Sequence, residues 1–556
     1  MKADLIIKNA RVFTADSVNP QATAFVVKDG KFLYVGDEAG LAAYEGEVID
    51  LGGKFIMPGI IDSHVHVTTG IGFEYVDYGE YIDCSCKQEA LDFMAQYVNA
   101  TPGLERYRFI LNRNNLRGEE LTKEDLDAIC PDHELQVLEL DIHSLWVNSK
   151  ILEAHGITDA TPDPAPGLAY FVRKNGHITG NAFESAGWPF LFDYLKKRLT
   201  DEQIASAIAR WIAFCKEYGV CSVFDAGFPE NNDIHERIYS YLRELDRRGE
   251  LPIYIDGCYV LTNRHKMMEA IEETKRFNRE FDTEHLKVHT LKIFMDGTLK
   301  IETAAMVTPY VDTGTSGATT FNAQEVAVIL KELNKAGLDL HVHTVGEQAS
   351  RVVLDGVELA RKELGDDFRV KVTCAHLWVQ DDADLGRFAK LGVTADFSPA
   401  WHSGVLGGNP YEAWSKLLGP ERAAAMFRSK TIWDTGALVT WSSDDVAYGD
   451  FSTWNPYLGI EIGMTRFNCA KTRGPEVAKV VAELPTPDQK MNIQEMLIGY
   501  TINGAKQLGI EATKGSIAAG KDADFLVFDR DLLTAEHAGF SHILPTDVFF
   551  AGKKVN

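Results

Sequence analysis

Two histidines one residue apart, His64-Val65-His66, close the apolar run Phe55-Ile56-Met57-Pro58-Gly59-Ile60-Ile61-Asp62-Ser63. Side chains two apart on a strand leave the same face, so both imidazoles can reach one metal ion. Such a pair is weak on its own, because histidines also pair by chance or bond into a core. Further ligand types stand near the ends of other apolar runs: Asp225, Lys292 and Asp296, His341 and His343, His376, and Asp444. Four histidines and an aspartate form a ligand set for zinc or a similar first-row metal. Spacing leaves two choices open. His341 shares a strand face with His343, and Asp445 competes with Asp444 from the opposite face. Lys292 lies inside an apolar strand, where a free ammonium is costly. It forms either a buried ion pair with Asp296 on its own face or, neutralised by burial, a carbon dioxide-derived carbamate bridging two metals.

These residues need a scaffold that gathers strand ends. After the first strand at 55–67, seven more are expected at 220–225, 253–260, 290–296, 338–343, 370–376, 393–397 and 438–444. Helical stretches at 201–218, 324–336 and 347–363 lie between several of them. Strands alternating with helices build a parallel sheet, and eight with crossovers close a (β/α)8 barrel whose active site sits at the C-terminal strand ends. The two termini share a β-rich texture, with Asp29-Gly30 as a hairpin signal in the first. Residues 70–198 are too long for a plain connection and hold their own β-like run, Leu135-Gln136-Val137-Leu138-Glu139-Leu140. The expected fold class is α/β: a TIM-like barrel, a discontinuous small β-sandwich domain from both termini, and an inserted α+β subdomain after the first barrel strand. The expected boundaries are 1–54 plus 510–556 for the composite β domain, 55–69 plus 199–509 for the barrel, and 70–198 for the insertion.

The chain has 556 residues, 45% apolar and 25% charged, which suits a soluble globular protein of two or three units. A formal net charge of −25 argues against nucleic acid or an anionic membrane as partner. Neither a secretory h-region at the start nor an apolar stretch of membrane-spanning length stands out. The eight cysteines lie mostly in apolar segments, and Cys84-Ser85-Cys86 lacks the spacing of a zinc knuckle. Reduced thiols and a cytoplasmic location are the expectation. Self-association into a homo-oligomer stays open.

The chain resembles the amidohydrolase superfamily, and within it the amidohydrolase-3, YtcJ-like group that includes N-substituted formamide deformylases. The resemblance runs through Ile7–Thr14, Met57–His66, His143-Ser144-Leu145-Trp146-Val147-Asn148-Ser149, Leu291–Leu299, His343–Ala349, Ser443-Asp444 and Gly515–Asp524. It implies His64, His66 and Asp444 on one metal, His343 and His376 on another, and Lys292 as the bridging carbamate. One or two divalent ions, zinc first among them, are the implied cofactor. Three departures occur: Glu347 in place of the usual Asp, Val446 in place of Pro, and Lys300-Ile301-Glu302 in place of a small-and-arginine run. The third puts the substrate's identity in question, because that loop faces the pocket.

The implied activity is hydrolysis of a C–N bond in a small molecule, an N-formyl, N-acyl or cyclic amide, by metal-activated hydroxide. Asp444 would move the proton from water to the leaving nitrogen, and His143 would add a hydrogen bond. Trp146, Trp188, Trp401 and Trp441 are candidates for an apolar pocket, with Glu184 and His402 as weaker polar contacts. A decarboxylase on the same metal barrel is the alternative, and a non-catalytic binding protein on a degenerate barrel the second.

Overall fold

Apolar runs bounded by glycine and by capped helices set the frame. In the computed structural model, which describes residues 1–73, 79–139, 143–196, 199–227, 233–403, 410–445, 454–467 and 487–556, they form one eight-stranded parallel sheet. Its strands are β1 (Ile60–Val65), β2 (Val220–Asp225), β3 (Tyr254–Leu261), β4 (Leu286–Phe294), β5 (Asp339–Thr344), β6 (Val372–His376), β7 (Thr394–Phe397) and β8 (Val439–Trp441). Each strand pairs with the next in parallel, from β1 through β8. The seam between β8 and β1 is joined just past the strand ends, where Asp444 N–H donates to His64 O at 2.8 Å and His66 N–H to Asp445 O at 3.0 Å. Below it, the Gln507 amide donates to Ser63 O at 2.7 Å and accepts from Thr440 Oγ1 at 2.6 Å. The sheet is a TIM-like barrel.

The connecting helices start and stop where local chemistry dictates. Asp201–Tyr218 opens on a capping box between Thr200 and Gln203 and ends at Gly219, φ 73°. Ala323–Ala336 opens on an Asn322–Glu325 capping box and ends at Gly337, φ 67°. Each buries an apolar stripe that includes Trp211 in the first and Leu330 in the second.

The run from Phe55 to Val65 is two strands, where one was expected. Phe55–Pro58 pairs with Arg11–Phe13 and Phe525–Phe528 in a sheet made from both termini, and the barrel begins only at Ile60. Gly59 makes the break: its N–H donates to Asp524 O, and a Cβ there would collide with Cys221 Sγ. That sheet has six strands, and a second of four holds Lys2–Lys8, Ala24–Lys28, Lys31–Gly36 and Glu45–Asp50. The Asp29-Gly30 hairpin forms as its sequence predicts, with φ 50° and 77°. Ile7, Phe25, Phe32 and Phe525 make the core between these terminal sheets.

Between β1 and β2 lies another six-stranded sheet, which includes Arg106–Leu111, Glu134–Glu139, Ser144–Val147 and His177–Phe183. Phe109, Leu135 and Trp146 belong to its own core. Leu140 and Val446 lie outside the described residues. No helix among the described residues is long and apolar enough to cross a membrane.

Candidate metal centre

The C-terminal ends of β1, β4, β5 and β6 and the turn after β8 converge on one buried cluster. His64 Nε2 stands 3.4 Å from Asp444 Oδ1 and 3.4 Å from Lys292 Nζ. His66 Nε2 is 3.7 Å from the same Asp444 oxygen, and His376 Nδ1 is 3.3 Å from the other, Oδ2. The His343 and His376 rings are 4.4 Å apart. Ligand atoms of His64, His66 and Asp444 lie within 4.8 Å of one another, a spacing that one metal ion can bridge.

Hydrogen bonds on the far ring nitrogens fix which atoms face inward. His66 Nδ1 donates to Gly227 O at 3.1 Å, which leaves Nε2 with its lone pair toward Asp444. His343 Nε2 donates to Gly297 O at 3.2 Å, which leaves Nδ1 as the basic nitrogen. His64 Nδ1 pairs with His341 Nε2 at 2.8 Å, so His341 stands behind His64. The buried His376 Nε2 has no hydrogen-bond partner among the described residues. Neutral imidazoles, a carboxylate and an orphaned buried nitrogen suit a divalent first-row metal. The residues fit such an ion.

Burial governs the charges. It pushes His64, His343 and His376 well below the ordinary histidine range, and His66 down to about 4, so all four are held in the neutral, metal-binding form. Burial lifts Asp444 to about 6 and lowers Lys292 to about 8. The backbone is strained at the same place. Asp444 has φ 50° and His376 φ 78°, left-handed values that side-chain-bearing residues rarely adopt. Trp401 Nε1 donates to Ser443 O and Asp444 O, both at 3.0 Å, and so holds the Asp444 turn.

Other residues named from the sequence fall at different distances from this cluster. His143 Nδ1 donates to Glu184 Oε2 at 2.8 Å, and Glu184, itself at φ 52°, accepts from Thr303 through Oε1. His402 stacks on Phe427 with ring centroids 4.1 Å apart and sits 3.4 Å from Arg466 Nη1. Trp146 is fully buried in the sheet between β1 and β2, its indole bonded to Glu120 and covered by Arg113. Trp441 bonds to Glu495 O in the barrel wall. Asp225 accepts from Thr68, Gly227 and Tyr239. Asp296 turns away from Lys292 and accepts backbone N–H groups of Ala305, Val345 and Gly346. Asp445 is buried beside Asp444, its amide bonded to Ser443 Oγ. Lys300 pairs with the fully buried Glu139 at 2.9 Å.

Three positions escaped the sequence reading. Asp62 Oδ1 accepts the amides of His64 and Ser443, at 3.3 and 3.0 Å, and so ties the first and last strand ends together. Asp396, buried 3.9 Å from His64 Nδ1, accepts from Thr440 and Ser442. Gln507 bridges the seam. Asp62 alone carried a signal, its place two residues before His64; the other two are ordinary polar residues until the barrel closes.

Residues 47–555 match the profile of the amidohydrolase family. The chain is 26% identical to the N-substituted formamide deformylase of Arthrobacter pascens, over 95% of this chain and 94% of that one. It is 25% identical to the putative amidohydrolase YtcJ of Bacillus subtilis, over 94% and 93%. Its fold is like that of an uncharacterized metal-dependent hydrolase from Pyrococcus horikoshii, with a TM-score of 0.66 at 22% identity, covering 96% of this chain and 99% of that one.

Proposed function

Because the chain belongs to the amidohydrolase family, we propose that it is a metal-dependent hydrolase cleaving a C–N bond of a small amide. N-formyl, N-acyl and cyclic amides are the candidate substrates. The observation that carries the reading is the convergence of His64, His66 and Asp444 ligand atoms within 4.8 Å, beside His343, His376 and Lys292. The similarity to a protein named as a formamide deformylase, at 26% identity, supports the bond type without fixing the substrate.

His64, His66 and Asp444 would hold one divalent ion, zinc by choice of ligands, with His343 and His376 toward a second. Bound there, the metal supplies a Lewis acid that acidifies water and polarises a carbonyl. Lys292 is assigned as a carbamate. Its neutral amine adds to carbon dioxide, one N–C bond forms and one proton leaves, and the product is an anion where an ammonium would repel the cations. Burial that lowers its amine to about 8 supports this.

Asp444 is the proton carrier. Its carboxylate takes a proton from the attacking water and returns it to the leaving nitrogen. Trp401 orients it through the two backbone carbonyls it binds. His143, oriented by Glu184, is assigned to the substrate carbonyl. A screen of N-formyl, N-acyl and cyclic amides scored for released amine, beside small carboxylic acids scored for carbon dioxide, tests the reading. Amine release that requires Asp444 is expected; carbon dioxide without amine would replace it with a decarboxylase.

A further inference from the structure

Two of the clustered histidines are held by backbone carbonyls from turns that follow other strands. His66, just past β1, bonds Gly227 O in the turn after β2, and His343 on β5 bonds Gly297 O in the turn after β4. A fully buried carboxylate stands at each turn: Asp225 at the end of β2 and Asp296 just beyond β4.

Asp225 Oδ1 accepts Gly227 N–H at 3.1 Å and Thr68 N–H at 3.3 Å, and Oδ2 accepts the Tyr239 hydroxyl at 3.0 Å. Asp296 Oδ1 accepts Val345 N–H at 2.9 Å, and Oδ2 accepts those of Ala305 and Gly346 at 2.9 and 2.8 Å. The two arrangements match. Thr68 follows His66 by the same step in sequence as Val345 follows His343, so each carboxylate grips the backbone just beyond a histidine and anchors the turn that binds its ring. Neither turn has room to shift. A Cβ on Gly227 would stand 2.6 Å from Val260 Cγ2, and one on Gly297 only 2.1 Å from Thr303 Oγ1. Asp296 Oδ1 lies 4.0 Å from His343 Nε2, beyond hydrogen-bond reach, so it acts on the ring through Gly297.

A carboxylate buried without a counter-charge is costly, and for stability alone a well-packed apolar side chain often does as well. Among the described residues neither aspartate meets a lysine or an arginine; backbone N–H and hydroxyl groups are their partners. An apolar side chain could not fix those turns.

We infer that Asp225 and Asp296 are positioning residues, each orienting one histidine of the neighbouring strand toward metal; the inference rests on the metal reading above. Asp225 sets His66 to present Nε2, and Asp296 sets His343 to present Nδ1. Partners of this kind typically change metal affinity about 10- to 100-fold.

Zinc affinity, measured on the purified protein by competition with a coloured chelator, tests it. Asp296→Asn should weaken the ion on the His343 side about 10-fold or more, because backbone N–H groups cannot reverse to accept from an amide. Asp225→Ala should weaken the ion on the His66 side by a similar factor. Asp225→Asn should restore it, since the Tyr239 hydroxyl can turn and accept. Added to His343→Ala, Asp296→Asn should cost no further zinc affinity, and Asp225→Ala should add nothing to His66→Ala. A purely structural role would lower the melting temperature and leave zinc affinity unchanged, and that result would overturn the inference. A second reading needs no variant. In the metal-free protein, nitrogen chemical shifts of the rings should show Nδ1–H at His66 and Nε2–H at His343; the opposite tautomer at either would also overturn it. No zinc uptake by the unaltered protein would sink the metal reading and this inference together, whereas zinc held equally by the unaltered protein and the variants would sink this inference alone.

Discussion

Asp444 is the residue on which the chemistry turns, since it touches His64, His66 and His376 at once and its carboxyl is lifted to about 6 by burial. Asparagine keeps its size and one oxygen but cannot carry a proton. Asp444→Asn should therefore cost about 10²- to 10⁴-fold in kcat while losing much less of the bound metal. Asp445→Asn should be far milder, because the backbone amide and carbonyl of Asp445 bond Ser443 Oγ and His66 N–H whichever side chain it carries. Paired rate and metal measurements on the two variants check this; the reverse ranking would exchange their roles. Lys292 gives the second prediction at this scale. Native mass analysis in bicarbonate buffer should find one added carbon dioxide, lost in Lys292→Ala together with the more weakly held metal, and short carboxylic acids should restore part of that variant's activity. An unmodified Lys292 in an active, fully metallated protein would leave it an electrostatic role at a single-metal site.

At the scale of elements, the N-terminal end of the barrel has its own charge cluster. His289 on β4 lies between Asp256 of β3, at 3.1 Å, and Asp339, the first residue of β5, at 3.3 Å. The two carboxylates lift it to about 10, against the ordinary 6.5. A raised folded-state pKa adds stability that is complete below the unfolded value and is lost as pH rises through the folded one. His289→Gln should thus lower stability by about 1.5–3 kcal/mol at neutral pH, and the deficit should shrink above about pH 10. Denaturant midpoints at the two pH values measure it; an equal deficit at both would show that the charge plays no part. The positions of the eight strands were legible, because each contains a short apolar run and several are reached by a periodic helix. The break at Gly59 was harder to see, since only Pro58-Gly59 interrupts the apolar run from Phe55 to Ile61 and the bond from Gly59 to Asp524 that splits it is long-range. Strand parity placed His341 and His343 on one face but gave no sign that His341 would pair with His64, which depends on the sheet curling until β1 and β5 face each other across the barrel interior.

For the molecule as a whole, closure explains what a linear reading reaches and what it misses. His64 and His66 at one end of the barrel sequence meet Asp444 at the other through backbone bonds across the β8–β1 seam, so the proposed site exists only once the sheet has curled. Residue types at strand ends announced the donors, whereas Asp396 and Gln507 gain meaning from partners hundreds of residues away. Trp146 shows the opposite case: an aromatic in a recognisable motif whose side chain is committed to a local core. The acidic balance, a net charge of −25, disfavours polyanionic partners. The central claim is that the five strand-end donors hold metal, and elemental analysis of the purified protein beside the His64→Ala/His66→Ala double variant tests it most directly. The unaltered protein should carry about one to two divalent ions per chain and the folded double variant should lose the ion those imidazoles bind; full metal content in the double variant would contradict the account.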